Sequence, residues 1–156
     1  MSLESLLSNL LKAGKLKKQS TDINYLNNLL YAAERNFRAA LLIKEQASEA
    51  SFKLFYDGLL QLGRVILLVN GYRPDNGEQH KTTFSVAGEF LGSDFVDLIR
   101  KIQRFRVKRN ICIYDPTGLI SKEETESIYE TAQAFWENTR KYLQNINPQL
   151  ELFNGF

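Results

Sequence analysis

The chain has 156 residues, of which 44% are hydrophobic and 24% are charged, and its net charge is +2. These values are typical of a globular domain with a sizeable core, and they argue against a disordered or fibrous chain. The small net charge excludes a surface that attracts polyanions everywhere, so any anion-binding site must be local.

The sequence also favours a cytoplasmic protein. Its single cysteine, Cys112, cannot form an intrachain disulfide, so folding does not require an oxidising compartment. No apolar run approaches the roughly eighteen residues that a membrane span needs. The N-terminal segment carries Glu4 early and its lysines late, which is the reverse of a secretory signal. We therefore expect no membrane partner.

Helical periodicity dominates the first half of the chain. The spacing of apolar residues predicts an amphipathic helix over residues 2–13, a long helix over residues 22–45 and a third helix over residues 47–69, with Gly71 suited to a C-cap. Small residues at the start and middle of the third helix should let a neighbouring helix come close. These are Ala47, Ala50, Ser51 and Gly58.

The second half continues the helical pattern after a break. Residues 71–79 have turn chemistry, and residues 80–91 predict a weakly patterned helix. Ser93 is suited to cap the fifth helix, and Ser121 with Glu124 has the spacing of a capping box for the last one. The last helix repeats core-facing residues at alternating spacings of four and three positions, which is typical of a helix packed in a bundle. These residues are Ile128, Ala132, Phe135, Thr139, Tyr142 and Ile146.

Five to six helices with short connections predict an all-α fold, an antiparallel up-and-down bundle. No internal repeat or long linker divides the chain. We therefore expect a single domain over residues 1–156, in which residues 1–19 contribute an N-terminal amphipathic helix.

The fifth helix carries a cluster of positive charge, because six of the ten residues from 100 to 109 are Lys or Arg. At 100° per residue, Arg109 falls on the same face as the apolar residues of this helix. These are Leu98, Ile102, Phe105 and Cys112. A buried guanidinium keeps its proton, so Arg109 must meet a carboxylate, a carbonyl, a second subunit or a ligand anion.

The end of this helix presents a group suited to phosphate. Asp115 precedes Pro116, which disfavours helical backbone and predicts a helix end near Tyr114. Arg109, Asn110 and Tyr114 would then surround the helix terminus, and we expect a phosphate or nucleic-acid site there. Its candidate residues are Arg104, Arg106, Lys108, Arg109 and Tyr114. The alternative is a solvated basic face on which Arg109 caps helix carbonyls.

Residues 22–146 resemble the HEPN domain family through an ordered set of short motifs. These are AAERNFRAALLI at 32–43, the helix at 47–69, GYRPDNGEQH at 71–80, and the RN-x-x-x-Y of Arg109, Asn110 and Tyr114. The resemblance implies a compact HEPN-like helical bundle that usually dimerises. Many members bind RNA or are metal-independent ribonucleases, often toxins paired with a small nucleotidyltransferase.

Active HEPN members use an R-x(4–6)-H motif from each of two subunits, in which arginine holds the scissile phosphate and histidine assists the hydroxyl chemistry. Arg109 and Asn110 match the first two positions, but Tyr114 stands where the histidine is expected. A phenol is a poor general base at neutral pH, although it can donate a hydrogen bond to phosphate. The sequence therefore favours binding over cleavage.

Two further assignments concern residues around this motif. His80 completes an R-x6-H pattern with Arg73, but we expect it to lie away from the fifth helix, which carries the basic cluster. We keep His80 as a minor anion-binding candidate. Glu34 or Asp57 could be the carboxylate partner of Arg109. No metal-ligand cluster and no Gly-rich phosphate loop is present, so we expect neither a metal nor a cofactor.

Three hypotheses follow from the sequence. The first is a HEPN-like homodimer that binds RNA, a nucleotide or a small nucleotidyltransferase partner, in a toxin–antitoxin or defence system. The second is a divergent metal-independent endoribonuclease that uses Arg109, Asn110 and Tyr114 as catalytic residues. The third is a structural role, in which Arg109 joins two subunits through a carboxylate.

Overall fold

A computed structural model describes residues 1–115, 117 and 119–156. The described residues form six α-helices, which are α1 (Leu3–Lys12), α2 (Ile23–Ile43), α3 (Ser48–Val69), α4 (Gln79–Leu91), α5 (Val96–Tyr114) and α6 (Lys122–Ile146). Two short strands, β1 (Leu16–Lys18) and β2 (Tyr72–Pro74), pair antiparallel, and a 3-10 helix covers Ser93–Phe95. The predicted all-α bundle is confirmed.

Helix α3 forms the centre of the bundle and contacts α2, α4, α5 and α6. Its sequence is apolar on nearly all sides, which is typical of a helix enclosed by its neighbours. Phe52, Phe55, Leu59, Leu62 and Ile66 are all fully buried along it. The position of α3 therefore sets which side chains of the outer helices can meet.

Small residues allow α2 to pack closely on α3, as two of the four predicted positions show. The ring of Phe37 lies over Gly58, where an added Cβ atom would come within 2.4 Å of the ring. The hydroxyl of Ser51 donates a hydrogen bond to the carbonyl of Ala40 over 2.7 Å. Both contacts place the two backbones closer than larger side chains would permit.

The C-terminal segment after α6 folds back over the α2 side of the bundle. The ring of Phe153 stacks on Trp136 at a centroid distance of 3.8 Å, and Phe156 stacks on Phe37 at 4.3 Å. The backbone amide of Glu151 donates to the side-chain oxygen of Asn27. The aromatic side chains of this segment thereby extend the core.

The helix starts agree with the sequence in one case and differ in another. Ser121 and Glu124 form the predicted capping box at the start of α6. The prediction that Ser93 caps the fifth helix is wrong, because Ser93 begins the 3-10 helix and α5 starts at Val96. The tighter 3-10 turn absorbs the change of direction after Gly92, so α-helical hydrogen bonding begins three residues later.

The two strands were not predicted, and they fix the loop that precedes α4. Leu16 pairs with Pro74 and Lys18 with Tyr72, so the segment assigned to turns over residues 71–79 contains β2. Strands of three residues carry no usable periodicity, and their pairing joins parts of the chain far apart in sequence. The pairing holds the residues before Gln79 against the body of the protein.

Replacing Gly58 by Ala should destabilise the protein although alanine favours helix. The new methyl would meet the Phe37 ring in a packed core, at a cost of about 1–3 kcal/mol in the free energy of unfolding, measured by chemical denaturation. In a Phe37→Leu background the same change should cost less. Equal losses in both backgrounds would contradict the proposed contact.

Candidate functional site

Helix α5 places its apolar face on the bundle as predicted. Ile102 and Cys112 are buried, and the Phe105 ring meets Phe52 edge-on at 5.7 Å. The helix ends at Tyr114, and Asp115 has extended backbone with φ −112° and ψ 106°. The predicted helix end is therefore confirmed, although Pro116, on which the prediction depends, lies outside the described residues.

Arg109 lies on this apolar face and rests against an aromatic ring. Its guanidinium carbon is 5.4 Å from the ring centroid of Tyr56, a fully buried residue of α3. This is the distance of a cation–π contact, which favours a charged side chain beside the core. The Nε atom of Arg109 is buried and has no hydrogen-bond partner among the described residues.

Neither predicted carboxylate forms an ion pair with Arg109 in the described part of the chain. Glu34 instead accepts hydrogen bonds from Arg38 on its own helix, at 3.1 and 2.9 Å. Asp57 lies near enough for its carboxyl to be affected by Arg109 and Arg64, which lower its pKa. Burial has the larger effect, so the pKa of Asp57 is raised overall. Within the described residues, the positive charge of Arg109 is therefore not paired with an internal carboxylate.

His80 lies beside the basic helix, and the prediction that it lies elsewhere is wrong. Its Nδ1 atom is 3.0 Å from the hydroxyl oxygen of Tyr56. The reason is topological: α4 and α5 are consecutive and joined by a short connection, so the start of α4 meets the last turns of α5. His80 and the basic residues of α5 are far apart in sequence, but the antiparallel pair α4–α5 brings them together.

An open cavity of about 480 Å³ lies between the start of α4 and the end of α5. Its lining comes from the loop and first turn of α4 on one side and from α5 on the other. The residues are Gly77, Glu78, Gln79, His80, Lys81, Arg106 and Asn110. We call this the α4–α5 cavity.

Hydrogen-bond donors predominate among the side chains of the α4–α5 cavity. Arg106 and Lys81 carry positive charge, and Gln79 and Asn110 carry amide groups. The Nε atom of Arg106 donates to the side-chain oxygen of Gln103 over 2.8 Å, which orients the guanidinium. Glu78 is the acidic member of the lining, and it pairs with Lys81 at 3.6 Å.

The histidine in this cavity is held in its neutral form. Burial lowers the pKa of His80 below its ordinary value, and the charges of Arg109, Arg64 and Arg106 lower it further. Burial also raises the pKa of the Tyr56 phenol, so Tyr56 keeps its proton. Burial disfavours the charged form of both groups, the imidazolium of His80 and the phenolate of Tyr56. The nearby arginines also disfavour the imidazolium, whereas they oppose the rise in the pKa of Tyr56.

The hydrogen bond between these residues decides which nitrogen of His80 carries the proton. His80 Nδ1 is the hydrogen-bond partner found for the buried Tyr56 hydroxyl among the described residues. A buried hydroxyl uses its proton where an acceptor is present, so we assign Tyr56 as the donor and Nδ1 as the acceptor. Nε2 then carries hydrogen, and His80 is a further donor in the cavity.

The remaining predicted residues lie outside the cavity. Arg104 is exposed, and Tyr114 is exposed over 85% of its surface. Lys108 forms an ion pair with Glu124 of α6 at 3.3 Å. The structure thus brings Arg106, Arg109 and Asn110 together with His80, and it separates Arg104, Lys108 and Tyr114 from them.

Sequence reasoning missed several residues that build this site. Tyr56 and Arg64 lie within an apolar helix pattern, and Gln79 lies in a segment assigned to turns. Their role depends on which face of α3 meets α4 and α5, and no spacing in the sequence specifies that meeting. The one available signal was the turn segment over residues 71–79 followed by His80 and Lys81, which marks a helix start beside basic residues.

Comparison with protein-family models, with curated proteins and with solved structures gives no match to this chain. The resemblance to the HEPN family therefore stays a prediction from the sequence. Within the described residues, every helix is too short or too polar to cross a membrane.

The imidazole of His80 should titrate below its ordinary pKa of 6.5, as measured by NMR. Below pH 6.5 the unfolded chain binds more protons at His80 than the folded chain does. The free energy of unfolding should therefore fall as the pH drops through 6.5. Tyr56→Phe removes the donor that favours neutral imidazole and should move the midpoint upward. A midpoint above 6.5 in the parent protein would contradict the assignment.

Proposed function

We propose that the protein binds single-stranded RNA and that a backbone phosphate occupies the α4–α5 cavity. The observation that carries this proposal is the predominance of donors on both walls of the cavity. A phosphodiester presents acceptor oxygens and a negative charge, and it is matched by guanidinium, amide, ammonium and imidazole N–H groups. A nucleotide shares this chemistry, and oligonucleotide length distinguishes the two ligands.

The start of α4 adds backbone donors to the same cavity. Glu78 occupies the N-cap position without forming a side-chain cap hydrogen bond. The first-turn amides of His80 and Lys81 have no acceptor in the described part of the chain. Free amides and the helix dipole both favour an anion at this position, beside the cationic side chains already described.

The electrostatic effect on His80 supports an anion site independently of the hydrogen bonds. Three arginines, Arg109, Arg64 and Arg106, each make protonation of His80 less favourable. Their charges therefore create a positive potential at the imidazole, although the whole chain carries only +2. A bound phosphate would lower this potential and stabilise the surrounding charges.

We also propose that the protein is a homodimer, as the HEPN resemblance suggests, with the outer face of α5 in the interface. Val107 and Ile111 are 48% and 51% exposed, and Tyr114 continues the same face one turn further. The i, i+4, i+7 spacing makes an apolar stripe opposite the buried face. Asn110 borders this stripe and lines the cavity, so a second copy would lie beside the phosphate site.

The endoribonuclease hypothesis has weaker support from the geometry. A ribonuclease needs a group that takes the proton of the ribose 2′-hydroxyl. Tyr114 lies outside the cavity, and the assigned tautomer of His80 presents a donor there. Cleavage of RNA in the presence of EDTA by the parent protein, but not by Arg109→Ala, would overturn the binding-only proposal. If the protein binds a small nucleotidyltransferase but no RNA, the proposed ligand is a protein partner and not RNA.

Arg106→Gln should weaken RNA binding about tenfold, because it removes a charged donor from the phosphate position. The slope of log affinity against log salt should also fall by about one. Fluorescence anisotropy with a labelled single-stranded RNA measures both. Asp57→Asn should act in the opposite direction, since it removes negative charge near Arg109 and Arg64.

Arg104→Gln is the matched control for this experiment. It removes the same charge from the same helix, two residues away, but on the exposed face outside the cavity. Its affinity should stay close to that of the parent protein. Equal losses of RNA affinity in Arg104→Gln and Arg106→Gln would indicate a diffuse charge effect. They would argue against a phosphate-binding site in the α4–α5 cavity.

Ile111→Glu should convert the dimer to a monomer, because it places a charge in the centre of the apolar stripe on α5. Light scattering coupled to size-exclusion chromatography measures the mass of each species. Leu42→Glu, at an 80% exposed site on α2, is the control and should stay dimeric. A parent protein that is monomeric at all concentrations would refute the dimer proposal.

A further inference from the structure

A second cavity adjoins the proposed phosphate site. It has a volume of about 200 Å³ and lies between the start of α2, the end of α3 and β2. Gln79, the first residue of α4, lines both this cavity and the α4–α5 cavity. The two cavities therefore adjoin at Gln79. We call the new one the Tyr25 cavity.

The Tyr25 cavity differs in chemistry from its neighbour. The Tyr25 ring is 52% exposed, and Leu68 and Pro74 contribute apolar surface beside it. Both cavities are lined mainly by polar side chains, but among the described residues no Phe, Tyr or Trp lines the α4–α5 cavity. Two adjoining cavities, one lined by hydrogen-bond donors and the other by a partly exposed tyrosine, suit a phosphate followed by a base.

Arg64 connects the two cavities electrostatically. It lines the Tyr25 cavity, and its charge also lowers the pKa of His80 and opposes the rise in the pKa of Asp57. No ion pair or hydrogen bond of Arg64 is found among the described residues. A guanidinium in this position can contact a backbone phosphate or stack beside a base.

The walls of the Tyr25 cavity are held in place by local contacts. The carboxylate of Asp22 accepts a hydrogen bond from the Tyr25 amide over 2.8 Å and caps α2. Arg73 pairs with Asp75 at 3.1 Å, and Lys17 pairs with the same carboxylate at 3.1 Å. These contacts reduce the free charge of Arg73 but fix the strand that forms one wall. The site therefore requires little ordering when a ligand enters.

We propose that the Tyr25 cavity binds the base of the nucleotide next to the phosphate in the α4–α5 cavity, with the base stacked on Tyr25. This inference rests on the proposed RNA binding and adds a second subsite to it. Stacking on an aromatic ring accepts any base, so the expected ligand is single-stranded RNA with little sequence preference. A duplex would keep its bases stacked on one another and would not use this subsite.

The test compares two probes that differ in length. Ribose 5-phosphate should occupy the α4–α5 cavity alone, whereas hexa-adenylate should span both cavities. Tyr25→Ala should weaken binding of hexa-adenylate about tenfold and leave that of ribose 5-phosphate unchanged. Tyr25→Phe should retain the affinity for both probes, because it retains the ring. Tyr31→Ala, which removes another exposed tyrosine of α2 that lines neither cavity, is the matched control.

Three results would overturn the proposal, and the first of them separates it from the proposed function. If Tyr25→Ala binds hexa-adenylate as tightly as the parent while Arg106→Gln binds both probes weakly, the base subsite is refuted and RNA binding stands. If the parent binds neither probe, both proposals fail. Equal weakening of both probes by Tyr25→Ala would also refute a separate base subsite. Circular dichroism of each variant establishes that the bundle is intact.

Discussion

The contact on which the site depends is the one between Tyr56 and its two polar neighbours. Tyr56 is fully buried in α3, and it offers its ring to Arg109 of α5 and its hydroxyl to His80 of α4. A guanidinium can therefore lie against the core without a bonded carboxylate. One side chain thus contacts the two neighbouring helices, and the guanidinium that it supports has no carboxylate partner among the described residues.

The distribution of ion pairs explains how a nearly neutral chain can hold such a site. Lys44, Lys53 and Lys108 each pair with a carboxylate, and their charges are locally compensated. Arg64 and Arg106, like Arg109, have no carboxylate partner within the described residues. These three arginines are the charges that lower the pKa of His80, in addition to burial, so they create the positive potential at the start of α4.

The same geometry determines the protonation of His80, and with it the chemistry that the proposed site can offer. A histidine that receives a hydrogen bond at Nδ1 presents N–H at Nε2, and it then resembles the amide and guanidinium groups around it. The adjoining Tyr25 cavity adds an aromatic side chain that is 52% exposed. Donors followed by an aromatic ring are the arrangement that the proposed single-strand binding requires.

The sequence by itself determined the helices, the capping box at Ser121, the end of α5 and the position of Arg109 on an apolar face, because these depend on local spacing and capping. Only the tertiary structure decided that His80 meets Arg106 and that Tyr114 lies apart from both. Helix periodicity specifies which face of a helix is buried, but it does not specify which neighbour covers that face. The pairing of β1 with β2 and the antiparallel packing of α4 on α5 supply that information, since they bring together residues that are distant along the chain.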